Sequence, residues 1–198
     1  MGGVQVFGDF KKKGGDISVT KQVLSLKSIF VALGWDAEET PGVDFDLNIS
    51  VFLLQKNGLV GCDEDFIFYG NLRSQDGSVE HSGDSLTGGS GGDDEVIKVD
   101  LEKVDGSIQK LAITVSIYEA QERRQNFGMV SNAFVRIVNQ VDGQEMTRFD
   151  LSDDMSEETA MIFGEIYRCE GEWKFKAIGQ GFVGGLAAMA THFGVDVE

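Results

Sequence analysis

The stretch that decides the fold of this chain is Phe45-Asp46-Leu47-Asn48-Ile49-Ser50-Val51-Phe52. It alternates apolar and polar residues at its start and then becomes apolar on both faces. Alternation places successive side chains on opposite faces of a strand, and the change indicates a strand that leaves a solvated rim and enters a core. The stretch therefore predicts a β-strand whose polar residues lie together at one end of the domain.

Strand-like stretches continue along the chain, and turn signals separate them. Asn57-Gly58 predicts a type I′ hairpin turn, and Asp142-Gly143 predicts a second tight hairpin. The further predicted strands are 53–54, 59–60, 65–69, 96–101, 110–118, 133–138, 145–151, 159–167 and 173–178. Many short strands joined by turns favour a mainly all-β fold over a parallel α/β sheet, and specifically a two-sheet antiparallel β-sandwich.

Helical signal is scarce, so we expect one or two short helices near the C-terminus. The best candidate is 185–193, which a glycine follows at a helix-ending position. A shorter helix is expected to begin near Ser156. No repeat and no domain linker interrupts the chain, which predicts a single domain over 1–198, with 1–16 as a poorly ordered or variable N-terminal segment.

The charge balance restricts the classes of partner. The 198-residue chain has 17 Lys and Arg residues against 33 Asp and Glu residues, a formal net charge of −16. A surface this negative lacks the basic footprint that nucleic acid and anionic lipid require. We therefore expect no nucleic-acid partner, and we expect cations or basic proteins to bind instead.

Three features of the sequence favour a cytoplasmic protein. Residues 1–13 lack the apolar core of a secretion signal. No apolar run reaches the roughly 18 residues that a membrane-spanning helix needs, so no direct membrane insertion is expected. Cys62 and Cys169 stand far apart without a Cys-x-x-Cys motif, which argues against a zinc or redox site and suits a reducing compartment.

The segment 83–95 is the strongest candidate for a binding site. It carries four carboxylates and five glycines. Glycine adopts positive φ freely, so its carbonyls can turn toward a common centre, and Ca²⁺ binds about 6–8 such oxygen ligands. It is not an EF-hand loop, because Leu86 and Gly88 supply no side-chain oxygen at its third and fifth positions. From these residues alone a solvated glycine-serine linker is an equally open interpretation.

Two other candidate sites are weaker. His81 lies beside Glu80 and close to the acidic segment, so a metal-dependent hydrolase is one hypothesis, and a structural hydrogen-bonding histidine is the other. Arg123 and Arg124 could bind a nucleotide or an oxyanion, or they could pair with acids of a neighbouring strand. No nucleophile motif is present. We therefore favour a protein that is not an enzyme.

Long motifs occur in order along the chain and carry a family resemblance. They are Gly34-Trp35-Asp36, Asp44-Phe45-Asp46-Leu47, Asp65-Phe66-Ile67-Phe68, Gly77-Ser78-Val79-Glu80-His81, the glycine segment with Asp93-Asp94-Glu95, the stretches 124–134, 158–165 and 172–177, and Gly179-Gln180-Gly181. Together they resemble the TerD family of tellurium-resistance and general stress proteins, from roughly Ser18 to Val195.

The resemblance implies a bacterial stress-response protein whose β-sandwich binds one or two Ca²⁺ ions at one end. It implies other proteins of the stress-response system as partners, and a calcium-ordered binding or scaffold role. The ligand set implied by the family pattern is Asp46, Asn48, Asn71, Asp84, Asp93, Asp94 and Glu95. Asp46 and Asn48 lie two residues apart, so both face one side of a strand.

The chain departs from the family pattern at several candidate positions. The family usually has aspartate in place of Asn48, asparagine in place of Gly70 and Ser85, and acidic residues where this chain has Gly89 and Gly91. Because ligand charge is a main control on calcium affinity, we expect weaker calcium binding than in typical members. One of the two sites is expected to be the more affected.

Overall fold

The computed structural model describes residues 16–18, 27–36, 45–83, 92–130, 132–150 and 157–197. Within these ranges the chain forms eleven β-strands in two antiparallel sheets and two short α-helices. The predicted two-sheet antiparallel β-sandwich is therefore confirmed. Residues 1–15 lie outside the described residues, so the expectations for the N-terminal segment and for one domain over 1–198 stay predictions.

The strands outnumber the helices along the chain. In chain order the strands are β1 (Asp16–Ser18), β2 (Ser28–Gly34), β3 (Leu47–Leu54), β4 (Phe66–Ile67), β5 (Val79–His81), β6 (Glu95–Asp100), β7 (Lys110–Ile117), β8 (Phe134–Asn139), β9 (Glu145–Asp150), β10 (Ala160–Cys169) and β11 (Glu172–Phe182). The helices are α1 (Ala120–Arg123) and α2 (Gly185–His192). In the described part of the chain, no helix is long and apolar enough to cross a membrane.

Every pair of neighbouring strands in the two described sheets is antiparallel. The six-stranded sheet has the order β1-β11-β10-β7-β3-β4, and the five-stranded sheet has the order β5-β6-β2-β8-β9. Strand β3 pairs along its whole length with β7, from Leu47 opposite Ile117 to Leu54 opposite Lys110. On its other side β3 pairs with β4 only at Val51 and Phe52. The first half of β3 therefore has a free edge on that side within the described strands.

The two faces of β3 belong to different cores. Ile49 and Val51 are fully buried in the cluster between the two sheets. Phe52 and Leu54 belong to a second cluster, which also contains Met189 of α2. Since α2 covers the outer face of the six-stranded sheet, both faces of the second half of β3 are buried. This explains why the sequence is apolar on both faces there.

The polar start of the same stretch is buried as well. Asp46 is 5% exposed and Asn48 is 3% exposed. The prediction of a solvated rim at these positions is therefore wrong. Two polar side chains without solvent need partners within the protein or from a ligand.

The turn geometry of two hairpins differs from the prediction. A type I′ turn needs positive φ at both central residues. At the first hairpin only Gly58 has positive φ, at 82°, so the type I′ prediction for Asn57-Gly58 is wrong although the hairpin is present. The type I′ geometry occurs instead between β10 and β11, where Glu170 and Gly171 have φ of 53° and 80°.

Several elements differ from the predictions in place or extent. Strands β1, β2 and β5 were not predicted, although β2 lies at the centre of the five-stranded sheet. The strand expected over 65–69 is reduced to the two residues of β4. Residues 157 and 158 are not helical, and 151–156 lie outside the described residues, so the helix near Ser156 is not found. The second short helix is α1, and α2 confirms the helix predicted over 185–193.

Candidate metal centre

Asp46 and Asn48 meet at the start of β3. The Asn48 side-chain Nδ2 donates a hydrogen bond to Asp46 Oδ1 at 3.1 Å. This contact confirms that the two side chains face the same side. The other polar atom of the amide, Asn48 Oδ1, is buried and accepts no hydrogen bond. A buried acceptor without a donor is destabilising unless a ligand satisfies it, so this oxygen marks a place where a ligand is expected.

Asp94 is held against the end of β2. Its Oδ2 accepts the backbone N–H of Trp35 at 3.0 Å, and its own N–H donates to the Leu33 carbonyl at 2.8 Å. The Trp35 indole Nε1 donates to the Phe45 carbonyl at 3.1 Å. Trp35 thus joins the end of the acidic segment to the start of the Asp46–Asn48 pair.

Glu95 is tied to the other side of that pair. It is fully buried, and its Oε2 accepts the backbone N–H of Ile49 at 2.8 Å. Nε2 of His81 lies 3.2 Å from the carbonyl oxygen of Ile49. Ile49 lies in the part of β3 that β4 does not reach. Two side chains from the five-stranded sheet therefore occupy the free edge of a strand in the six-stranded sheet.

His81 fixes the beginning of the acidic segment. Its Nδ1 accepts the backbone N–H of Gly83 at 3.0 Å, which places the ring proton on Nε2, where it donates to the Ile49 carbonyl. Nε2 also lies 3.7 Å from Glu95 Oε2. The side chain is buried, with both ring nitrogens engaged. This geometry supports the structural interpretation of His81 over the hydrolase hypothesis.

Asp93 and Asn71 point to other partners. Asp93 accepts two hydrogen bonds from Arg136, at 2.9 and 2.8 Å, and Arg136 also donates to Glu145 at 3.1 Å. The bonds to Asp93 and then to Glu145 raise the pKa of Arg136. Asn71 Nδ2 donates to the carbonyl oxygen of Phe66 at 2.8 Å and to that of Glu64 at 3.2 Å.

The described residues give only part of the predicted ligand set. Asp84 falls in 84–91, outside the described residues. Among the residues that the structure describes, no three His, Cys, Asp or Glu side chains lie close enough together to hold a metal ion. The segments carrying Asp46, Asn48, Asp94 and Glu95 are brought together, and the side chains of Asp93 and Asn71 are not.

The arginine pair is divided between different surroundings. The Arg123 guanidinium lies 5.3 Å from the centre of the Tyr118 ring, and its Nε lies 3.7 Å from Glu119 Oε2. Arg124 follows α1 in the left-handed conformation, with φ of 54°. The acid that Arg123 contacts, Glu119, directly precedes α1 and does not lie on a neighbouring strand, so the pairing expected in the internal interpretation is not confirmed. The contacts of Arg123 with Glu119 and Tyr118 still weigh against a nucleotide or oxyanion site at this residue.

Gly34 and Gly92 allow a direct test of how the acidic segment packs. A Cβ at Gly34 would overlap the Gly92 carbonyl oxygen and the Phe134 ring, whereas a Cβ at Gly92 meets nothing within 4 Å. We expect Gly34→Ala to lower the free energy of unfolding by about 1–3 kcal/mol. As the matched control, Gly92→Ala should change it by less than about 0.5 kcal/mol. Urea unfolding measures both, and equal losses would contradict close packing of this segment on β2.

Comparisons with known proteins agree with the fold and the motifs. The family model for the TerD domain matches residues 11–193. The chain is 53% identical over 186 residues to "Tellurium resistance protein TerD" of Serratia marcescens, covering 94% of this chain and 97% of that protein. It is 51% identical over 186 residues to "General stress protein 16U" of Bacillus subtilis (strain 168), covering 93% and 96%.

A solved structure supports the fold in particular. The structure of a homologue of telluride resistance protein from Streptomyces coelicolor A3(2) superposes with a TM-score of 0.71. It is 24% identical in sequence, and the match covers 84% of this chain and 96% of the other. At this identity the likeness establishes the shared sandwich and nothing about ligands.

Proposed function

This chain belongs to the TerD family, and from that premise we propose that it is a cytoplasmic, calcium-binding stress-response protein. Its relatives carry the names of tellurium resistance and general stress proteins. In this proposal, calcium orders the acidic segment after β5, and the ordered surface binds other proteins of the stress response. The net charge of −16 favours a partner with a basic surface.

One observation carries the proposal. The acidic segment ends against the start of β3, although Glu95 and Ile49 are 46 residues apart in sequence. Trp35 makes the second connection, from Asp94 to the Phe45 carbonyl. Ile49, directly after the Asp46–Asn48 pair, is thus hydrogen-bonded to Glu95. Phe45, directly before the pair, is connected to Asp94 through Trp35. Segments that carry oxygen-bearing side chains thus come from distant parts of the chain to one end of the sandwich.

The chemistry of this group suits a hard cation. Asp46, Asn48, Asp94 and Glu95 offer only carboxylate and amide oxygens, which Ca²⁺ prefers. Asp84 would add a further carboxylate. Asp93 would have to leave Arg136 to take part, and Asn71 would have to turn away from its carbonyl partners. A bound calcium ion would supply positive charge among carboxylates that otherwise repel one another.

Removal of calcium tests the proposal. A ligand present at 100 times its Kd stabilises the folded state by about 2.7 kcal/mol. We therefore expect calcium to raise the melting temperature of demetallated protein, and excess EDTA to reverse the rise. Calorimetric titration of the same protein gives the stoichiometry and the affinity. An unchanged melting temperature together with no heat of binding would contradict the proposal.

Asn48→Asp sharpens the same test, because it restores the residue that the family usually carries. Without calcium, the new carboxylate would face Asp46 Oδ1 at the position from which Nδ2 now donates at 3.1 Å, so the variant should melt below the parent protein. With calcium, the added charge should strengthen binding and enlarge the rise in melting temperature. Asn57→Asp makes the same chemical change in the first hairpin and serves as the control. Identical calcium responses of N48D and the parent protein would exclude an ion at Asn48.

A further inference from the structure

The acidic segment ends on the outer face of the five-stranded sheet, directly over β2. Val31 and Leu33 belong to the cluster between the two sheets, so Ala32 faces the opposite way. Gly34 has no side chain, and a Cβ there would overlap the carbonyl oxygen of Gly92. The backbone at Gly92 therefore lies against the end of β2. Ala32 and Gly34 keep this part of the outer face free of bulky side chains.

An arginine on the far side of β2 binds the next residue of the segment. Strand β2 lies between β6 and β8 in the sheet. Asp93 comes just before β6, whereas Arg136 belongs to β8 and lies opposite Ala32 of β2. Nε of Arg136 donates to Asp93 Oδ1 at 2.9 Å, and Nη2 donates to Asp93 Oδ2 at 2.8 Å. The Asp93–Arg136 pair thus spans β2 above a single methyl group.

The geometry of this ion pair is specific. Two parallel N–H···O bonds fix the orientation of the carboxylate as well as its position. The third nitrogen of Arg136, Nη1, donates to Glu145 on β9 at 3.1 Å, which holds the guanidinium from its other side. The side chains of Arg136 and Asp93 are 31% and 26% exposed, so solvent screens the pair only in part.

The carboxylate that Arg136 holds directly precedes two carboxylates of the candidate metal centre. Asp94 Oδ2 accepts the Trp35 N–H, and Glu95 Oε2 accepts the Ile49 N–H. Asp93 is fixed instead on the outer face of the sheet. With Asp93 held, few backbone dihedral angles remain free before Asp94 and Glu95, because each residue contributes only two.

We propose that Arg136 is a positioning residue of the candidate metal centre, and that Asp93 is its anchor point and not a metal ligand. The Asp93–Arg136 pair fixes the backbone directly before Asp94 and Glu95, so less ordering is required when these carboxylates bind a cation. The ordering of the chain by Arg136 stands without calcium. Its effect on calcium affinity rests on the proposed function.

The first experiment measures hydrogen exchange of the Asp94 amide, which donates to the Leu33 carbonyl at 2.8 Å. In EDTA-treated protein, Arg136→Gln and Asp93→Asn should each raise its exchange rate about fivefold. Because both break the same pair, the double variant should exchange no faster than R136Q alone. Arg136→Lys keeps the charge without the two parallel bonds, so it should restore part of the protection.

A matched control separates the pair from a general loss of charge. Lys98→Gln removes a positive charge from an exposed position of β6 in the same sheet and should leave exchange at Asp94 unchanged. Urea unfolding shows that each variant folds, and its midpoint should stay close to that of the parent protein because the pair is partly exposed. Parent-like exchange in R136Q and D93N, an equal rise in K98Q, or additive effects in the double variant would overturn the proposal.

Calcium titration by calorimetry distinguishes an anchor from a ligand that Arg136 withholds. R136K is the informative variant, because it preserves the charge near the centre. Looser positioning of Asp94 and Glu95 should weaken calcium binding about threefold. If Asp93 were a metal ligand held back by Arg136, the same substitution would release it and calcium would bind more tightly. Tighter binding by R136K would therefore overturn the proposal.

Failure of the proposed function has a different signature. A parent protein that binds no calcium would contradict the proposed function alone. The exchange rate of the Asp94 amide in EDTA-treated R136Q then decides the ordering role by itself: faster exchange upholds it, and parent-like exchange overturns it.

Discussion

Phe52→Ala should lower the free energy of unfolding by about 3–5 kcal/mol, the usual range for loss of a buried aromatic side chain. Phe52 is fully buried on the outer face of β3. Its ring stacks on Phe66 with 4.2 Å between centres and 6° between planes, and it lies 4.6 Å from the ring of Phe193. The substitution therefore removes the centre of the cluster beneath α2. Urea unfolding followed by circular dichroism measures the loss.

Two further variants serve as comparisons for the loss of stability in Phe52→Ala. Leu72→Ala removes a side chain that is 45% exposed and should change stability by less than about 0.5 kcal/mol. Phe52→Leu keeps much of the buried volume and should cost less than Phe52→Ala. If Phe52→Ala were as mild as Leu72→Ala, α2 could not be docked on the six-stranded sheet as described.

Glu95→Ala should lower the free energy of unfolding by roughly 2–4 kcal/mol. It removes the acceptor for the Ile49 N–H, which is buried on an edge that none of the described strands covers. An unsatisfied buried donor carries its full desolvation cost. Glu95→Gln retains a carbonyl oxygen that can accept the same bond, so its loss should be smaller. Urea unfolding of the two variants measures the difference.

Hydrogen exchange gives this prediction a local readout. The Ile49 amide should exchange faster in E95A than in the parent protein, and E95Q should retain most of the protection. Glu80→Ala, at an exposed position of β5, is the control and should alter neither stability nor exchange at Ile49. Undiminished protection of Ile49 in E95A would contradict the role assigned to this carboxylate.

The long strands that alternate were predictable, whereas the three-residue strands β1 and β5 and the non-alternating strand β2 were missed. The stretch 110–118 corresponds closely to β7, because its side chains repeat with the period of a strand. Strand β2 is a short, nearly continuous apolar run, Ser28–Gly34, and its inner residues are buried between β6 and β8. Periodicity alone cannot separate such a run from a buried helical segment.

The candidate site was predictable in its segments and not in its side-chain directions. Asp46 and Asn48 share a face because they are two apart in a strand, and the structure confirms this. Asp93, Asp94 and Glu95 are consecutive, but the backbone bends at Asp94 and β6 begins only at Glu95, so their three side chains take different directions. They reach, respectively, an arginine of β8, the backbone N–H directly after β2, and a backbone N–H within β3. Partners that are backbone groups of distant strands leave no signature in the sequence.

The placement of Glu95 and His81 on the edge of β3 also leaves no free peptide group at Ile49 with which another chain could pair. An uncovered strand edge offers its peptide groups as a template on which another chain can add a strand. Here the carboxylate occupies the amide of Ile49 and the imidazole of His81 occupies its carbonyl. Any ligand that drew Glu95 away would uncover that edge, so occupancy of the acidic end and resistance to aggregation are linked through one side chain.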